Sequence, residues 1–106
     1  MNLIGSYAAC GGKMKTIYKY PLMSHDHTIT IPRGAEFLHL HIQDNVPTLW
    51  FLVDSEFEEV ERFFQIVGTG WEIDEESYAY GKFTYFGTAH DNNGFVWHVF
   101  EKVLDF

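Results

Sequence analysis

Pro47 to Trp71 runs P-T-L-W-F-L-V-D-S-E-F-E-E-V-E-R-F-F-Q-I-V-G-T-G-W and reads as two strands joined by a short acidic turn. Thr48 to Val53 is apolar at every second position on both registers. Such a run predicts a central strand covered on both faces. In the following segment Val60, Arg62, Phe64 and Ile66 alternate with Glu59, Glu61, Phe63 and Gln65. The β-branched and aromatic content favours a strand there. Asp54 to Glu58 could open a helix with Asp54 or Ser55 as its cap, and a single helical turn near Ser55–Glu58 is the alternative to a plain turn.

On the N-terminal side the chain keeps the period of two. In Thr16–Leu22, Ile17 and Lys19 share one face, and Tyr18 and Tyr20 the other. Ser24-His25-Asp26 is a turn, His27–Ile31 a short strand with Ile29 and Ile31 inward, and Pro32-Arg33-Gly34 a tight turn. Ala35–Gln43 alternates most cleanly. The expectation is Leu38, Leu40 and Ile42 inward, with Phe37, His39, His41 and Gln43 outward. Asp44 to Pro47 is the next turn.

On the C-terminal side Gly68-Thr69-Gly70 closes a strand, and Asp74 to Ser77 is an acidic loop. Ala79–Gly87 is a strand with a glycine at each end. His90 to Gly94 signals a hairpin, because Asn93-Gly94 suits the tight primed turns. Gly94–Val103 is the last strand. The fold class expected is therefore all-β: a small antiparallel barrel or sandwich of about seven strands, with little or no helix and a partly closed barrel preferred.

Length and composition bound the rest. The 106 residues make one domain,. Residues 1–13, ending in Gly11-Gly12-Lys13, read as a leader from an upstream start, and residues 14–106 as the single β domain. Aromatics are heavy at 18%, and the formal net charge is −8. Seven basic against fifteen acidic residues argues against direct nucleic-acid binding,. The one cysteine, Cys10, excludes an intrachain disulfide and fits a reducing cytoplasm,. No apolar run approaches the ~20 residues that span a bilayer, so no membrane partner is expected.

Six strings carry a resemblance: I-Y-K-Y-P-L (Ile17–Leu22), I-P-R-G-A (Ile31–Ala35), L-W-F-L-V-D (Leu49–Asp54), F-F-Q-I-V-G-T-G (Phe63–Gly70), the F-x-Y-F-G-T segment (Phe83–Thr88) and V-W-H-V-F-E (Val96–Glu101). In this order they resemble a family of small uncharacterised bacteriophage and prophage proteins, over about Lys15 to Glu101. The resemblance implies the fold and a phage-related origin. It implies no activity and no functional residues.

Candidate sites have to be read from the residues. His39 and His41 lie two apart, so both rings leave one face of a strand, close enough to share a metal. His25 and His27 have the same spacing, His98 could join from the last strand, and Gly34 precedes His39 and His41 at the distance seen in cupins. The carboxylate and second motif of a cupin are absent, and two surface histidines are the plainer reading. The Gly68-Thr69-Gly70 loop could offer N–H groups to an anion, but it lacks a phosphate loop's lysine and helix. Cys10 and the serines (Ser6, Ser24, Ser55, Ser77) have no triad setting.

The acids are more informative. Nine of the fifteen fall between Asp54 and Glu76, offset only by Arg62. Together with rings at loop edges (Phe37, Trp71, Tyr78 and Tyr80), they suggest a binding surface. The leading expectation is a non-enzymatic phage or prophage accessory protein in the host cytoplasm, without cofactor. It would dock on a bacterial host protein, or self-associate, through Glu56, Glu58, Glu59, Glu61, Trp71, Asp74, Glu75 and Glu76. One alternative is a binder of a nucleotide signal in an aromatic pocket, served by Arg33 and Lys82. The other is a cupin-like metal enzyme using His39, His41 and His98.

Overall fold

The computed structural model describes residues 14–73 and 83–103. These contain seven strands: β1 (Lys15–Pro21), β2 (Asp26–Pro32), β3 (Glu36–Gln43), β4 (Val46–Asp54), β5 (Glu59–Gly68), β6 (Phe83–His90) and β7 (Val96–Lys102). They form two antiparallel sheets, β1-β4-β3 and β2-β5-β7-β6. No helix occurs among the described residues, and Ser55–Phe57 is a turn. The sheets do not close on each other, so the architecture is a sandwich rather than the preferred barrel,.

β4 and β5, adjacent in sequence, belong to different sheets. The acidic turn between them therefore carries the chain across the sandwich. Its geometry is local: the Asp54 carboxylate accepts from Glu56 N at 3.0 Å and the Asp54 carbonyl from Phe57 N at 3.1 Å,. β4 is central in its sheet as expected, but only its inner face is fully covered. Leu49, Phe51 and Val53 are buried, while Trp50 and Leu52 on the outer face remain partly exposed.

Ile29 and Ile31 of β2, Phe64 and Ile66 of β5, and Val99 of β7 complete the core from the other sheet. Phe51 sits in the middle with no exposed surface. Its ring lies 5.9 to 6.2 Å from those of Tyr20, Phe37, Phe64 and Phe86, distances at which edge-on and tilted rings attract.

Four local expectations need correction. In β3 a bulge between Phe37 and His39 resets the alternation. Phe37 then faces Phe51 and packs on the core, and Leu38 is 47% exposed; an extra residue flips every side chain before it to the other face. β6 does not stop at Gly87 but runs on to His90. Gly87 lies at a second bulge with φ 150°, and a Cβ there would sit 3.2 Å from Leu40 Cδ2. That bulge lets Phe86 stack on Phe37 at 4.4 Å. Pro47 is inside β4 rather than in the turn, and the reversal is made by Asp44 and Asn45 at positive φ. Finally, the β6–β7 hairpin exists, but Asn93-Gly94 is not a tight primed turn. Only Gly94 has positive φ, and the connection spans residues 91–95.

Candidate functional site

Four connections meet at one end of the sandwich: residues 22–25, the Asp44-Asn45 turn, residues 68–73 and the 91–95 loop. The last is built on Asp91. Its Oδ1 accepts from Asn93 N at 2.8 Å and Phe95 N at 3.0 Å, and its Oδ2 accepts from Trp97 Nε1 at 2.9 Å. Asn92 N donates to Asn45 Oδ1 at 2.8 Å, which ties this loop to the β3–β4 turn. The indole donor, followed by the backbone N–H groups of Phe95, Asn93 and Gly94, holds the Asp91 carboxyl below its ordinary pKa,.

That shift has a sign. The folded chain releases the Asp91 proton more readily than the unfolded chain does, so the ionised form favours folding. The contribution is present above the ordinary carboxylate pKa and is lost as pH falls through the depressed value. Wild type should therefore lose more melting temperature below about pH 4 than Asp91→Asn does. Equal slopes for the two proteins would overturn this role.

Around the loop the rings gather. Trp71 lies edge-on to His25 at 4.7 Å and to Trp97 at 5.4 Å. His25 and Trp97 are 5.8 Å apart, as are Phe95 and Trp97. Trp71 reaches this position because Gly68 has no side chain: a Cβ there would come within 2.9 Å of the indole,. The cluster is not sealed. Trp71 is 48%, Phe95 60% and neighbouring Met23 71% exposed. Beside it opens a cavity of about 370 Å³, walled by His25 and Trp97 with Leu22 and Ile66 among the apolar lining and Asn45 and Asp91 among the polar.

The Glu residues singled out from sequence lie elsewhere. Glu56 and Glu58 are in the β4–β5 turn and Glu59 and Glu61 at the start of β5, all exposed. Trp71 follows the other end of β5, about 30 Å away at ~3.3 Å per residue. Glu56–Glu61 and Trp71 thus form two surfaces rather than one. Asp74, Glu75 and Glu76, with Tyr78, Tyr80 and Lys82, lie outside the described residues, as do Cys10 and the rest of residues 1–13. Arg62 does not offset the acidic turn. It points between the sheets and pairs with Glu101. Arg33, one of the two cations considered for a nucleotide, sits over the Phe57 ring and 3.5 Å from Glu58.

The histidines separate too. His39 and His41 are side by side on the outer face of the smaller sheet, ring centroids 5.8 Å apart. His98 is on the outer face of the larger sheet, where its ring nitrogens meet the hydroxyls of Thr69 at 2.7 Å and Thr88 at 2.9 Å. Tyr85 continues that chain through Thr88. With the packed sheets between them, roughly 10 Å apart, the three histidines do not converge. Among the described residues no group of three potential metal ligands comes together. The Gly68–Gly70 loop spends its Thr69 and Trp71 N–H groups on Val96 O and Gly68 O.

Residues 14–105 match the family model described as a domain of unknown function, DUF7352. The chain belongs to the DUF7352 family. No curated protein and no solved structure matches it. The site of this DUF7352 domain must be read from its own geometry. Of the aromatic end, sequence reasoning singled out only Trp71. It missed Trp97 and Asp91 and raised His25 only as a possible metal ligand beside His27; the three come from three other connections or strands. The signal available was weak: an Asp six residues before a Trp across a predicted hairpin.

Proposed function

We propose that this domain is a non-enzymatic binding module that docks on a basic partner protein through its aromatic end. The observation that carries this reading is the half-open ring cluster of Trp71, Trp97, Phe95 and His25. Large rings left exposed together at one place are the usual core of a protein contact. Asp26, Asp44, Glu72 and Asp91 lie around it, so the rim favours a cationic partner. The exposed Glu56, Glu58, Glu59 and Glu61 add to a net charge of −8 and steer such a partner from a distance,. The order of strings from Ile17 to Glu101 supports placing the domain among phage and prophage proteins that act on a host protein in the bacterial cytoplasm, or on a second copy of themselves.

Two variants separate contact from steering. Trp71→Ala with Phe95→Ala should weaken capture of the partner from host lysate tenfold or more, chiefly through faster dissociation. Reversing Glu58, Glu59 and Glu61 to Lys should slow association and reduce its salt dependence while leaving dissociation nearly unchanged. Full binding by the double aromatic variant, with its fold intact by circular dichroism, would sink the reading.

A further inference from the structure

We infer that the cavity beside His25 and Trp97 is a seat for an organic cation, the ammonium or guanidinium head of a partner side chain. This rests on the docking reading above and assigns it a central contact. The volume of about 370 Å³ is that of a small-ligand pocket,. Two aromatic rings line it, the indole of Trp97 and the imidazole of His25, with centroids 5.8 Å apart and planes tilted by 32°. Ring faces attract a desolvated positive charge, and indole does so best.

The carboxylate of Asp91 reinforces this. It lines the cavity and accepts the Trp97 Nε1 proton at 2.9 Å. Pulling on that proton enriches the indole π system, and the carboxylate brings a negative charge to the same wall. Its Oδ1 is occupied by two backbone donors, so the group is held in place rather than free to swing.

Among the described residues no lysine or arginine lines the cavity. Of the described cations, Lys15 and Arg33 are at the far end and Lys102 pairs with Phe63 halfway along β5. Arg62 is inside the sandwich, and Lys19 is held by Gln43 at 2.6 Å. None of the described cations fills the cavity, and charge complementarity then points to a cation supplied by a partner. The apolar lining (Leu22, Ile66) suits the methylene stem of a lysine or arginine.

The test titrates the whole chain with acetyl-Gly-Lys-Gly-amide and acetyl-Gly-Arg-Gly-amide, with choline, and with 3,3-dimethylbutanol, the uncharged isostere of choline. Ionic strength is held constant, and the Trp97 Nε1–H and His25 ring signals are followed by NMR. The tripeptides should give saturable shifts with half-saturation on the order of millimolar. The neutral isostere should shift neither signal. His25→Leu keeps the apolar volume and the backbone carbonyl that accepts from Ile66 N. It should weaken the tripeptides tenfold or more.

Equal response to charged and neutral compounds, or none to either, would overturn the cation seat. Choline binding ten times tighter than both tripeptides would assign the cavity to a free small cation and overturn the partner side chain. The docking reading is tested apart from this, by the Trp71/Phe95 double variant. If that variant loses the partner while the tripeptides fail to bind, docking stands and the seat falls. The reverse pattern retains the cation site and removes docking.

Discussion

Phe51→Ala should lose about 3–5 kcal/mol of unfolding free energy and bring the domain close to unfolding at 37 °C. A domain of this size has about 5–15 kcal/mol in all. Phe51 has no exposed surface, and its ring touches those of Tyr20, Phe37, Phe64 and Phe86 from both sheets. Truncation leaves a void that these neighbours cannot fill without moving two sheets, so the cost includes the cavity as well as the lost transfer energy. Chemical denaturation would read it directly, and the melting temperature should drop by more than about 10 °C. Phe51→Leu, which keeps most of the volume, should cost less than about 1.5 kcal/mol. An alanine variant within about 1 kcal/mol of wild type would show that the sheets are not joined through this ring.

Glu101→Ala should cost about 2–3 kcal/mol, more than removal of any surface charge. Arg62 grips Glu101 with two bonds of 2.7 Å, reaches the Ala35 carbonyl at 2.9 Å, and lies 5.1 Å over the Phe51 ring. The two side chains are only 22% and 15% exposed. Removing the carboxylate strands a guanidinium inside the sandwich with one remaining partner. Contrast the pair between Arg33 and Glu58, both more than half exposed; deleting it should be nearly neutral. The decisive comparison is the double replacement Arg62→Met with Glu101→Leu. With no charge left to desolvate, it should recover at least half of the single variant's loss. If it instead sums the two single losses, the pair stabilises by more than mutual neutralisation and the account fails.

These two residues also show what could be read in advance. Period-two alternation alone placed Arg62 on the face of Val60, Phe64 and Ile66, which the structure confirms. It could not name Glu101 as the partner, because that contact joins β5 to β7 across 39 positions. The bulge in β3 was equally hidden. Leu38, Leu40 and Ile42 obey a perfect alternation, yet Phe37 displaces Leu38 from the core because its ring can stack on Phe51 and Phe86. The local pattern there was outweighed by aromatic contacts from the other sheet.

By itself the chain's alternation and turn residues determined that it is all-β, with strands near the observed places. Side-chain direction and turn geometry are local properties and are written in neighbouring residues. Only the tertiary structure decided that the sheets form a sandwich and that β4 and β5 part company. It also decided that Glu56–Glu61 and Trp71 lie at opposite ends and that Trp71, Trp97, His25 and Asp91 meet. Such a meeting depends on how separate connections fold back over the end of two packed sheets, and no spacing along one strand encodes it.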